Sequence, residues 1–296
     1  VGRPRGRMNY RHQFHAGNFA DVMKHALLVE LVRLLQRKDR GFVFVDTHAG
    51  RGRYDLATAA AGDSLARQPE WPEGVGRLWD DPGLPGALAT YIALAREHDR
   101  SGGNLAVGPR FYPGSPLLAA ALARSADRLV LCELNPMECD ALRGIMAATR
   151  RCEVRCVDGY LELAALLPPL ERRALVLIDP PYEAQDEFAR ALASLREGLR
   201  RLAGGVFALW YPLTGRARAE DLLSALAGFA PTPVLSVELT IAAVSGGPRL
   251  SGCGLAVVNP PWQFDETARE IVGFLARRLA QGPGGGFRVD WVVPAV

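Results

Sequence analysis

Asp179-Pro180-Pro181-Tyr182 combines residue types that could do chemistry on an amino group. The four follow Ala174-Leu-Val-Leu-Ile178, an apolar run of the kind buried on both faces of a parallel sheet. Two prolines fix φ and withhold two backbone donors, so the main chain leaves the strand in a rigid direction. That rigidity would set the Asp179 carboxylate and the Pro180 carbonyl as two acceptors around one NH₂ group. Tyr182 adds a flat face on which a base can stack. An aromatic amine is a weak nucleophile because its lone pair is delocalised into the ring. Acceptors that hold its two hydrogens favour a pyramidal nitrogen and leave the lone pair aimed at a methyl donor. What remains is alignment for an in-line displacement. Asp179, Pro180 and Tyr182 are therefore the catalytic candidates, and the amino group of a nucleic-acid base is the expected target.

Three more acids close apolar runs: Asp46 after Phe42-Val-Phe-Val, Glu133 after Leu129-Val-Leu-Cys, and Asp158 after the run from Cys152. Ligands of open α/β sheets bind at the carboxyl ends of the strands, so four acid-tipped strands suggest one shared site. Glu133 could accept both hydroxyls of a ribose, and Asp158 an adenine amino group. The turn at Gly50 and Gly52 lets backbone approach a ligand closely, but Asp55 stands where a dinucleotide fingerprint needs its third glycine. That disfavours a dinucleotide oxidoreductase. A near copy of the catalytic motif, Asn259-Pro-Pro-Trp262, comes too late in the chain order and reads as a structural loop with Trp262 packing.

The elements that must position these residues alternate between helical and strand patterns. Asn18 is an expected N-cap for an amphipathic helix reaching about Lys38, with Asp21 in its first turn. Strands are expected at 41–46, 128–133, 152–157, 174–179 and 206–210, with later ones at 234–242, 255–258 and 287–293. Helices are expected at 116–126, 136–149, 160–167, 184–202, 217–228 and 265–279. This is an α/β chain with a Rossmann-like, doubly wound sheet and helices on both faces. Residues 55–112, rich in Gly, Pro, Ala and Trp with one helical stretch near 84–100, read as an inserted helical subdomain between 8–54 and 113–296.

The 296 residues are 49% hydrophobic and 23% charged, which fits a globular chain and excludes a disordered one. The net charge of +3 says little, but its distribution is uneven. Arg3, Arg5, Arg7 and Arg11 are followed by Lys24, Arg33, Arg37, Lys38 and Arg40, a basic N-terminal face that could meet phosphates. Five cysteines without a C-x-x-C pair, no run long enough to span a bilayer and no secretory signal point to the cytoplasm. Met8 reads as a natural start, with 1–7 as an extension. His12, His15 and His25 lack the acids or cysteines that would complete a metal site, so no metal is expected.

Together these residues resemble the bacterial 23S ribosomal RNA adenine-N6 methyltransferases, of the class I S-adenosylmethionine-dependent fold. The resemblance runs from Met8 to Pro294. It is carried by Tyr10-Arg-His-Gln-Phe-His-Ala-Gly-Asn-Phe-Ala-Asp-Val-Met-Lys-His25, Asp46-Thr-His-Ala-Gly50, Tyr112-Pro-Gly-Ser-Pro116, Asp179-Pro-Pro-Tyr182, Leu209-Trp-Tyr-Pro212 and Asn259-Pro-Pro-Trp262. It implies that His25, His48, Ser115, Glu133, Asp158 with Gly159, and Asp179 contact the methyl donor, and that Asp179 accepts the proton. It further implies 23S ribosomal RNA as partner, met by Tyr10 with His12 and Lys24, and the helical insertion. No membrane or obligate protein partner is expected. The alternatives are a DNA adenine-N6 or rRNA guanine-N2 methyltransferase, or a non-catalytic RNA-binding module on the same fold.

Overall fold

The computed structural model describes residues 14–60, 68–244 and 250–295. An eight-stranded sheet runs through the chain in the order β10-β8-β9-β7-β6-β1-β4-β5. Its parallel part comprises β5 (Cys152–Arg155), β4 (Arg128–Cys132), β1 (Val43–Asp46), β6 (Ala174–Ile178) and β7 (Val206–Pro212). β9 (Gly252–Val258) pairs antiparallel with both β7 and β8 (Val234–Thr240), and β10 (Gly286–Val293) closes the edge antiparallel to β8. The chain first builds outward from β1 to β4 and β5, then returns to β6 on the other side of β1. The crevice between the ends of β1 and β6 is therefore the topological switch point, where such sheets bind ligands.

Side chains alternate between the two faces of β1 and β4, and each face has its own core. Phe44, Leu129 and Leu131 pack with α1 (Phe19–Leu35), α3 (Gly86–Ser101), α4 (Ser115–Leu122), α5 (Pro136–Met146) and α9 (Phe264–Arg278). Val43, Val45, Val130 and Cys132 face α6 (Gly159–Leu166), α7 (Glu187–Arg201) and α8 (Arg216–Ala227). The expected helices on both faces are present.

Helix α1 begins where Asn18 Oδ1 accepts from the N–H groups of Ala20 and Asp21, and it ends at Leu35 rather than near Lys38. It is not the amphipathic surface helix its spacing suggests. Asp21, Lys24, His25 and Glu30 are all buried along with its apolar residues, because α3, α4 and α9 pack around it. Helix α4 likewise stops at Leu122, short of the expected 126, where Ala123 turns extended. Between β1 and α4, a small ribbon of β2 (Arg53–Asp55) and β3 (Phe111–Pro113) closes a segment that holds α2 (Leu56–Ala60), two 3₁₀ turns and α3. The ribbon lacks the length that would have marked it in the sequence.

Candidate active site

Parallel pairing of β1, β4, β5 and β6 brings Asp46, Glu133, Asp158 and Asp179 to one edge of the sheet. Asp46 stands opposite Leu131 of β4 and Leu177 of β6, one register position from the strand ends that Glu133 and Asp179 follow. Asp179 does not face open solvent. Lys24 Nζ from α1 lies 2.5 Å from Asp179 Oδ2 and 2.8 Å from Asp21 Oδ1. Burial by itself pulls the Lys24 pKa down, but the two carboxylates outweigh it and hold the ammonium well above its ordinary value. A permanent cation thus fixes the Asp179 carboxylate at the switch point. The family resemblance gives Lys24 to the RNA. Its burial, with 7% of the side chain exposed, places it beside Asp179, where its charge is spent on two acids rather than on a phosphate.

Deeper at the same edge, fully buried Asp46 accepts from Ser115 Oγ at 2.6 Å and from His48 N at 3.1 Å. Burial raises its pKa to about 7; the Ser115 hydrogen bond opposes the rise and the charge of Asp179 adds to it. Pro116 stands in the first turn of α4, so Ser115 is presented at that helix's start. His48 Nδ1 is 2.7 Å from Thr47 Oγ1, and its ring meets Tyr160 edge-on at 4.6 Å. Burial and the Arg190 guanidinium push its pKa down to about 3, so the imidazole is neutral across the working range.

The glycine turn after β1 is built on Gly50 in the left-handed region at φ 61°. Gly50 N donates to Glu133 Oε2 at 2.9 Å, and Asn135 N donates to Glu133 Oε1 at 2.7 Å. The carboxylate is therefore oriented while keeping a lone pair on each oxygen for further donors. Asp158 caps α6 through Tyr160 N at 3.0 Å and pairs with Arg190 at 2.8 Å. Gly159 cannot be another residue, since a Cβ there would sit 2.0 Å from the Thr47 carbonyl oxygen. His25 is buried, with Nδ1 2.7 Å from Tyr112 Oη, which in turn lies 2.8 Å from Tyr91 Oη.

Tyr182 takes a left-handed backbone, φ 53°. Its hydroxyl donates to the Trp210 carbonyl at 2.6 Å, and its ring lies 4.5 Å from that of Phe188 and 5.8 Å from that of Trp210. The rival motif lies elsewhere. β9 runs antiparallel to β7, with Val258 opposite Phe207, so Asn259 emerges at the edge away from Asp179. Asn259, at φ 55°, donates to the Gly204 carbonyl at 2.9 Å. Trp262, expected to pack, is instead 79% exposed, because its loop projects beyond the sheet.

Tyr10 and His12 lie outside the described residues. Sequence reasoning missed Asp21, Arg190 and the Trp210 carbonyl as partners of the site. Asp21 and Lys24 are three apart on one helix, a spacing that could have flagged their pairing. Arg190 and Trp210 carried no such local signal. Among the described residues no group of three or more His, Cys, Asp or Glu side chains could hold a metal.

This strand order, with β9 reversed between the parallel β7 and β8, and acids gathered at the switch point, define a methyltransferase of the class I α/β fold. The chain belongs to the family described as ribosomal RNA large subunit methyltransferase D, RlmJ, whose model matches residues 39–293. It is 37% identical over 287 residues to ribosomal RNA large subunit methyltransferase J of Haemophilus influenzae, covering 97% of this chain and 99% of the relative. The Escherichia coli enzyme of the same name matches with the same identity and coverage. A crystal structure of a Legionella pneumophila protein superposes with a TM-score of 0.84 at 32% identity, over 95% of this chain and 100% of that one.

Proposed function

We propose that this methyltransferase carries a methyl group from S-adenosylmethionine to N6 of an adenine in 23S ribosomal RNA. The observation that carries the chemistry is Asp179, held by Lys24 at the β1–β6 crevice with Tyr182 beside it. S-adenosylmethionine supplies an electrophilic methyl on a sulfonium. The residues present fit it: Glu133 is a pre-oriented acceptor for ribose hydroxyls, held by the left-handed turn at Gly50. Asp158, Ser115, His48 and His25 line the rest of the donor side in this reading. Tyr182 stacks on an adenine presented out of its helix, and Asp179 with the Pro180 carbonyl accepts the two N6 hydrogens. That leaves the N6 lone pair directed at the methyl group. Asp179 takes the surplus proton after attack. Neutral His48 and Asp46 keep further charge away from the sulfonium side at moderately acidic pH, whereas Lys24 stays cationic beside Asp179.

The test is methyl transfer from labelled donor to unmodified, deproteinised 23S RNA, followed by digestion and identification of the nucleoside. N6-methyladenosine is the expected product, and none should form with Asp179→Ala. Transfer to DNA alone, or N2-methylguanosine as product, would overturn the substrate.

A further inference from the structure

All the chemistry above sits at the carboxyl edge of the parallel strands. The amino edge carries an excess of positive charge with no task in that chemistry. The chain enters β1, β5 and β6 there through Lys38-Asp39-Arg40, Arg150-Arg151 and Arg172-Arg173. These entries are neighbours, because Val43 N donates to Arg173 O at 3.0 Å and Leu129 N to Arg151 O at 2.9 Å. Four strands at about 4.8 Å spacing make the row roughly 14 Å wide. Lys38, Arg40, Arg150 and Arg172 are exposed, and none has a side-chain hydrogen bond or ion pair among the described residues. Crowding of like charge is felt at Arg173, whose pKa is lowered by burial and by Arg124 and Arg40. The acids nearby do not balance the row. Glu171 is already engaged by Arg128 and Arg151, and Asp127 by Arg124, leaving Asp39.

A cation near a helix end complements the dipole, but one per helix suffices for that. Moreover Arg151 and Arg172 occupy left-handed backbone, φ 53° and 56°, where glycine or asparagine would be unstrained. From Arg172 to Asp179 the chain is extended, so the row lies about 20 Å from the catalytic edge. A substrate seated only in the pocket does not reach it; a folded RNA many times larger than this chain does.

We propose that this row is a second RNA-binding surface, which grips phosphates of a helix flanking the target while the adenine occupies the pocket. The proposal rests on the ribosomal RNA substrate argued above. The test uses the full chain with Lys38, Arg40, Arg150 and Arg172 all changed to Gln, and a companion with the three arginines changed to Lys. A domain-sized 23S fragment and a minimal target hairpin are compared for binding and methylation. The Gln variant should bind the large fragment at least about tenfold more weakly at about 0.15 M salt. The slope of log K against log salt should flatten by up to about three, at roughly 0.7–0.9 for each phosphate no longer neutralised. Hairpin methylation should stay at the wild-type rate, and the Lys companion should behave as wild type on both RNAs. Equal binding of the large fragment by Gln variant and wild type would overturn the proposal. So would an equal loss on the hairpin, or loss of binding to phosphatidylserine vesicles with RNA affinity unchanged. If the wild type methylated neither RNA, the substrate reading would fall, while the binding titration would still decide the surface.

Discussion

In the proposed mechanism Asp179 works as an oriented acceptor, and Lys24 is the group that orients it. Replacing Asp179 with Asn keeps its size but loses the charge proposed to hold the amine. We expect kcat to fall by about 10²–10³, the range seen when one preorganised polar group is removed from an active site. Lys24→Met should act differently. It leaves buried Asp21 and half-buried Asp179 near each other without a cation, so stability should drop by about 3 kcal/mol. In the wild type the Lys24 pairing is fully present below the unfolded lysine pKa of about 10.4 and is lost only as pH rises past its higher folded value. It should therefore contribute nothing to pH dependence near neutrality. Tyr182 separates stacking from hydrogen bonding. Tyr182→Phe loses the bond to Trp210 but keeps the ring, and kcat/KM should change little. Tyr182→Ala should cost about 5- to 150-fold in kcat/KM, the equivalent of 1–3 kcal/mol of base stacking.

At the scale of elements, strand direction decides which of two similar motifs can act. β6 delivers Asp179 to the switch point, whereas antiparallel β9 delivers Asn259 to the far edge. Asn259→Ala, which frees the Gly204 carbonyl, should lower stability by about 1 kcal/mol in urea unfolding. Trp262→Ala should be neutral, and both variants should methylate at the wild-type rate. Loss of transfer in either would mean the second motif belongs to the site. Gly159 tests the opposite case, an element end that allows no change. Gly159→Ala puts a Cβ into the Thr47 carbonyl, so α6 must shift. We expect a loss of about 1–3 kcal/mol together with weaker donor binding in titration.

For the whole molecule, Asp46 couples global stability to pH. Its folded pKa, about 7, lies above its ordinary value of 3.8, so the protonated form favours the folded state. That contribution is complete below about pH 4 and is lost as pH rises through 7, and a rise from 3.8 to about 7 corresponds to a span of about 4 kcal/mol. Asp46→Asn should flatten that part of the curve, measured as the difference between variant and wild-type urea unfolding from about pH 4 to 8. If the difference stayed constant with pH, Asp46 would be ionised throughout. The order of residues alone specified the alternation of strands and helices, the four acid-tipped strand ends and the rigid Asp179–Tyr182 turn. These are local signals, written in hydrophobic period, capping residues and proline. The expected element ends drifted by a few residues, as at α1 and α4, because helix termination depends on what the next segment packs against. Packing in three dimensions was needed to show that α1 is buried on most sides, so that Lys24 faces Asp179 rather than solvent. It was needed equally to expose Trp262 and to set Lys38 and Arg40 at the opposite edge from the chemistry. Charge and period along one helix cannot report these things, because they depend on α3, α4 and α9, distant in the chain, closing around it.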